Sequence, residues 1–179
     1  MSRTTVAWAV GIVLLGAALR VHEITRWSMN NDEIAEVRWS SGRFTQVVYE
    51  AQRDAVHPPL DYFVHYAIAQ MHGPEWLHRV PPAIFGIATI ASIIILGSLW
   101  FSPVAGLVAG FLIAIAPTHI RFSQEVRPYS MGVFFVCASL AALELYARSQ
   151  KRKWTVSWFV FVFLAGATLY FSDGSWAML

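Results

Sequence analysis

An all-α polytopic membrane protein is the fold class this sequence predicts, and three features carry the prediction. The 179 residues are 56% hydrophobic and only 13% charged, and the mean hydropathy is +0.50. A water-soluble domain carries about 25% charged residues, and one soluble core of this size cannot hide so much apolar surface. The apolar residues also gather into separate runs of membrane-crossing length, and the acidic residues lie mostly outside those runs. The same figures exclude a disordered chain. The single cysteine, Cys137, excludes a disulfide scaffold, and a net charge of +2 gives no reason to expect nucleic acid as a partner.

A helix needs about 20 mostly apolar residues to span the hydrocarbon, with about 17 as the lower limit. Residues 6–21 meet this at the short end, with Arg20 placed to snorkel to an interface. The alternative for this run is a cleaved signal peptide. The apolar residues continue to Leu19 with no clear cleavage site before Arg20, so it is read as a retained first span. Residues 83–100 form a second, uncharged span, and residues 103–120 a third, with Gly106 and Gly110 at the small-xxx-small spacing. Residues 129–147 and 154–171 supply the fourth and fifth. Residues 60–71 are apolar and aromatic but too short to cross before Gly73-Pro74, and Asp61, His65 and His72 fall near one helical face. That is the pattern of an interfacial helix. Charge sets the count: Arg148, Lys151, Arg152 and Lys153 belong on the cytoplasmic side, which five spans and a cytoplasmic N-terminus deliver and six do not. Residues 22–80 then form a long first extracytoplasmic loop carrying interfacial helices, 120–128 a short second one, and 101–104 a cytoplasmic turn. Residues 1–179 read as one unit, without repeat or linker.

Asp32, Glu33, Glu36, Glu50, Asp54, Asp61 and Glu75 all lie in the long outer loop, so chemistry is expected on the outer face. The run from Asn30 to Glu36 reads as a helix start: Asn31 can cap it, Asp32 and Glu33 suit the positive end of its dipole, and Asp32 and Glu36 share a face. Spacing alone favours a capped surface helix over a general base or metal ligand held at the membrane. In His57-Pro58-Pro59-Leu60 the prolines fix His57 at a helix entrance, either a plain loop-to-helix junction or a phosphate- or carboxylate-binding position. Between the third and fourth spans stand Arg121, Gln124, Glu125, Arg127 and Tyr129. Arginine suits bidentate phosphate recognition, and snorkelling charge at helix ends is the even alternative; Arg79, just before Pro81-Pro82, has the same two readings. Glu144 is expected to pair with Arg148 one turn on, and Trp8, Trp76, Trp100, Trp154 and Trp158 bracket the spans as an aromatic belt would.

Four motifs occur in order: Asp32-Glu33 after the first span, His57-Pro58-Pro59-Leu60, Leu77-His78-Arg79-Val80-Pro81, and Ser123-Gln124-Glu125-Val126-Arg127-Pro128-Tyr129. Together they resemble the N-terminal portion of the GT-C membrane glycosyltransferases of the protein mannosyltransferase and aminoarabinose transferase type, over essentially the whole chain. The resemblance implies a multi-pass cell-membrane enzyme that takes a sugar from a polyprenyl-phosphate carrier on the extracytoplasmic side and passes it to a protein, lipid or glycan acceptor. It implies catalytic roles for Asp32, as the base, with Glu33 beside it. Contacts to the donor phosphate or substrate fall to His57, Arg79, Gln124, Glu125, Arg127 and Tyr129. Superfamily members differ in their use of a divalent metal ion, and Asp32 and Glu33 are the residues that would hold one. Members have many more spans, so the chain is expected to be either a fragment of a longer enzyme or a truncated gene product. The competing classes are a transport or flippase component, which would carry charged or broken helices at mid-membrane, and a non-catalytic polyprenyl-lipid-binding protein.

Overall fold

Helix starts in this chain follow capping chemistry. The Ser2 hydroxyl accepts from the Thr5 amide to open α1 (Arg3–Val21), and the Ser102 hydroxyl accepts from the Ala105 amide, ahead of Pro103, to open α6 (Pro103–Ile115). A computed structural model describes residues 2–53, 59–148, 158 and 162–163, all of its regular structure being helical. Between α1 and α6 lie α2 (Asn31–Ser40), α3 (Phe44–Arg53), α4 (Pro59–Ala69) and a short 3-10 helix (Glu75–Arg79) that runs straight into α5 (Val80–Trp100). A single turn, α7 (Pro117–Phe122), and α8 (Tyr129–Arg148) follow α6.

The bundle is built around α5. On one side it packs against α1 and α6 through Ile12, Ile90, Ile94 and Ala114; on the other it meets α8 through Phe85, Phe134, Phe135 and Met131. Among the described residues, two helices are long and apolar enough to cross a membrane, Arg3–Val21 and the continuous stretch Glu75–Trp100. Large apolar side chains such as Val6, Trp8, Val10 and Leu14 point outward from α1, a surface suited to lipid or further protein rather than water. Helices α2, α3 and α4 and the 3-10 turn gather at one end of the bundle, with α7 and the start of α8. At the opposite end Glu144 pairs with Arg148 at 2.5 Å and accepts from the Trp100 indole at 3.2 Å.

The helical boundaries of the first, second and fourth expected spans agree with the sequence reading to within a few residues. The third does not hold as one helix: α6 stops at Ile115, and Ala116 turns extended (φ −65°, ψ 116°) before α7. Pro117 is the cause, since it has no N–H for the carbonyl of Ile113 and forces its predecessor out of the helical region. At about 20 Å, 13 residues of α6 fall short of a hydrocarbon core of about 30 Å. Arg20 does not snorkel. It is fully buried and turns inward, donating to the carbonyl of Ala114 and to that of Ile113, which also accepts from the Ala116 amide, each Arg20 contact at 3.2 Å, and to Nδ1 of His119 at 2.7 Å. The polar face of α4 is also inverted. Asp61 and His65 are fully buried, while His72 is exposed in the turn beyond at φ 50°. Of the fifth expected span, only Trp158, Val162 and Phe163 fall within the described residues; all three are helical, and Val162 packs on Met131 and Phe135.

The α5–α6 crossing depends on Gly106. A Cβ there would come within 2.4 Å of the Ile94 carbonyl oxygen and 2.7 Å of the Ser98 nitrogen, backbone atoms that cannot step aside. Gly11, by contrast, has open space around it. Gly106→Ala is therefore expected to cost about 1–3 kcal/mol and lower the thermal midpoint in detergent, with Gly11→Ala leaving it unchanged or slightly raised.

Candidate active site

The end of the bundle that gathers the acidic residues is organised by one buried carboxylate. Asn30, not Asn31, caps α2: its side chain accepts from the Glu33 amide at 2.8 Å while Glu33 Oε2 accepts from the Asn30 amide at 3.0 Å, a reciprocal capping box. The asparagine-x-x-glutamate spacing was the sequence signal for it. Glu33 is 2% exposed, and its other contacts are long-range. Arg79 donates Nε to Oε1 and Nη2 to Oε2, both at 3.0 Å, and the Val126 amide donates to Oε1 at 3.0 Å. A carboxylate has about four acceptor positions, and all are taken.

Arg79 is equally committed. Beyond Glu33 its guanidinium donates to the carbonyls of Ile24, Trp27 and Ser28. It thereby straps residues 22–30 down over the helix ends, a segment that starts with Glu23 in the left-handed region at φ 58°. Gln124 works in the same sense from the other loop: its side-chain amide donates to the carbonyls of Arg20 at 3.0 Å and His22 at 2.8 Å, closing the C-terminal end of α1. Arg20 reaches the opposite way, from α1 to α6 and α7. These two crossed contacts fix α7 and the loop after it against α1, and sequence spacing carried no sign of either.

On this scaffold Asp32 is exposed at the start of α2, one residue from the buried Glu33. The buried face of α2 is Glu33, Glu36 and Ser40, so Glu36 shares its burial with Glu33 rather than with Asp32. Arg127 approaches Asp32 at 3.7 Å and lies over the Tyr129 ring, 5.6 Å from its centroid. Burial acts against the Arg127 charge, but Tyr129, Asp32 and Glu36 outweigh it and hold the guanidinium above its ordinary pKa. Tyr129 also stacks at a tilt on Phe122, 4.9 Å between centroids. Glu125 is bonded to Arg121 at 2.7 Å. The structure therefore brings Asp32, Arg127 and Tyr129 together around the Glu33–Arg79 pair, with Gln124 and Glu125 on the adjoining wall. His57 lies outside the described residues.

Neither carboxylate offers a divalent cation a ligand set. The Glu33 lone pairs are spent, Asp32 faces a guanidinium, and no group of three metal-ligating side chains occurs among the described residues.

Behind the site, Asp61, His65 and His78 form a buried row: His65 Nε2 is 3.6 Å from Asp61 and its Nδ1 3.3 Å from Nδ1 of His78. Burial and the neighbouring His65 push His78 down to about 4. The folded pKa lies below the ordinary value near 6.5, so the stability this histidine contributes is present above about pH 6.5 and is lost as pH falls toward 4. Protection factors for hydrogen exchange across residues 59–79, with the pH dependence of intrinsic exchange divided out, are expected to fall between pH 7 and pH 5, and His78→Gln to flatten that dependence.

The family model for dolichyl-phosphate-mannose-protein mannosyltransferases matches residues 56–172, about two thirds of the chain, beginning after α2 and α3. No curated protein and no solved structure matches. The matched stretch holds Arg79 and the whole of the Gln124–Tyr129 loop, and with it the half of the site that α2 closes against; this chain belongs to the dolichyl-phosphate-mannose-protein mannosyltransferase family.

Proposed function

We propose that this end of the molecule is the extracytoplasmic active site of a transferase that moves a hexose from a polyprenyl-phosphate carrier to an acceptor hydroxyl. Family membership supports glycosyl transfer of the mannosyltransferase type, and the family description supplies the donor class. The observation that carries the reading is the exposed Asp32 carboxylate, 3.7 Å from an arginine braced by tyrosine, on a helix end locked by Glu33 and Arg79. An arriving carrier phosphate competes for Arg127 and releases Asp32. The acceptor oxygen then attacks the anomeric carbon, its proton passes to Asp32, and the carbon–oxygen bond to phosphate breaks with the electron pair leaving on the phosphate. Arg127 steadies that charge. In this reading Glu33, Arg79 and Gln124 are positioning residues.

The proposed topology is five spans with a cytoplasmic N-terminus, the third crossing being completed by α6 and α7 together across the break at Ala116. A transport component is the second reading, because Arg20 is a buried charge beside a broken helix. It is less favoured: Arg20 is bonded into backbone carbonyls and sits at the end next to the site, not at mid-membrane. Purified full-length protein should release free polyprenyl phosphate in step with acceptor glycosylation, whereas a transporter releases none. A cysteine at position 125 should label from outside and one at 151 should not; the reverse pattern defeats the topology.

A further inference from the structure

We propose that the cleft beside the Glu33–Arg79 pair is a subsite for an uncharged pyranose ring, with Trp27 as its stacking platform. The cleft has a volume of about 570 Å³ and is walled by the strap after α1, by α7 and by the loop that follows, a size within the range of small-molecule sites.

Its charge balance selects the ligand. Each carboxylate on the wall already has a guanidinium: Glu33 has Arg79 at 3.0 Å, Glu125 has Arg121 at 2.7 Å, and Glu23 has Arg26. A phosphate would find no unneutralised cation there. A polyhydroxylated neutral ring would find a paired carboxylate that still accepts at Glu125, and the amide ends that the contacts above do not use, Nδ2 of Asn30 and Oε1 of Gln124. The wall also carries one large apolar face. Trp27 is 69% exposed, with the Arg26 guanidinium 5.2 Å from its ring centroid. Its backbone is pinned through its own carbonyl to Arg79 at 2.9 Å, so the platform is set before a ligand arrives.

The position relative to Arg127 completes the inference, which rests on the transferase reading above. Glu33 lines the cleft and also accepts from the Val126 amide, the residue before Arg127. The neutral cleft and the cationic position thus adjoin across one carboxylate, as a sugar and its phosphate do. The ring can belong to the donor or to a saccharide acceptor.

Saturation-transfer NMR on the full chain in nanodiscs, with methyl mannoside and polyprenyl phosphate as separate probes, tests this. Wild type should saturate the mannoside ring protons. Trp27→Ala should weaken mannoside binding by about tenfold, equivalent to about 1.4 kcal/mol, and leave polyprenyl phosphate binding unchanged. Trp27→Phe should restore most of it. Undiminished mannoside saturation in Trp27→Ala overturns the subsite, as does a parallel loss of polyprenyl phosphate binding, which would mark Trp27 as a lipid anchor. In transfer assays of Trp27→Ala, a raised KM for the donor alone places the donor sugar in the cleft, a raised KM for the acceptor alone places a saccharide acceptor there, and no rise in either overturns the proposal. Asp32→Asn should leave mannoside saturation intact. Mannoside binding at Trp27 without any release of polyprenyl phosphate by wild type would sink the transferase reading while the subsite stood.

Discussion

Arg79→Ala is expected to destabilise the protein by about 3–5 kcal/mol, because it leaves the Glu33 carboxylate buried without its partner. Glu33 is 2% exposed and Arg79 5% exposed, so water cannot replace either. The loss reaches further than one ion pair. Arg79 also holds the carbonyls of Ile24, Trp27 and Ser28, and its removal frees the strap over the site. Thermal unfolding in detergent should show the drop, and protease should cut within residues 22–30 sooner than in wild type. Glu33→Gln keeps the shape and the contacts to Asn30, but removes the charge that Arg79 answers; a loss of similar size is expected. Transfer should fail in both variants together with stability. A Glu33→Gln protein that keeps its thermal midpoint and loses transfer would instead make Glu33 part of the chemistry.

The sequence made the long apolar helices legible because a bilayer imposes length and composition on them. α1, α5 and α8 follow from apolar runs bounded by Ser2, by Pro81-Pro82 and by the charges around Arg148. The break in α6 also has a sign in the sequence, Pro117 inside the run of residues 103–120, which a count of apolar residues alone does not register. Two features were not visible for physical reasons. Helical spacing says which residues of α4 share a face but not whether that face turns outward, and with lipid as the alternative solvent the apolar side need not be the buried one. Arg20 was unreadable because its long-range partners, the Ile113 and Ala114 carbonyls and the His119 ring, lie over ninety residues away, around the break at Pro117. In the site, the order and type of residues pointed to one neighbourhood. Which of the adjacent acids Asp32 and Glu33 would be exposed depended on the cap at Asn30, one position earlier than the sequence suggested.

That one-position difference gives Asp32→Asn its expected outcome. Asparagine has nearly the same shape and keeps the start of α2, where Asn30 and Glu33 do the capping. Among the described residues the ion pair lost is the one between exposed Asp32 and half-buried Arg127 at 3.7 Å, worth about 1 kcal/mol, so the thermal midpoint should hardly move. The base, however, is gone, and general-base loss commonly lowers rate by about a hundredfold to ten-thousandfold. Donor binding should survive and even tighten, because Arg127 no longer divides its charge between Asp32 and the carrier phosphate. A stable protein that binds the lipid-linked sugar at least as well as wild type and scarcely transfers it is therefore expected, and equilibrium binding beside single-turnover transfer would show the split. Near-normal turnover would move the base to Glu125 or Glu36. Of these, Glu125 faces the cleft and is held by the exposed Arg121, so it could be reached without unpacking α2, whereas Glu36 is fully buried. The choice of base thus turns on which carboxylate a substrate can touch in the folded protein, and Asp32 is the one that α2 presents beside the guanidinium a phosphate would claim.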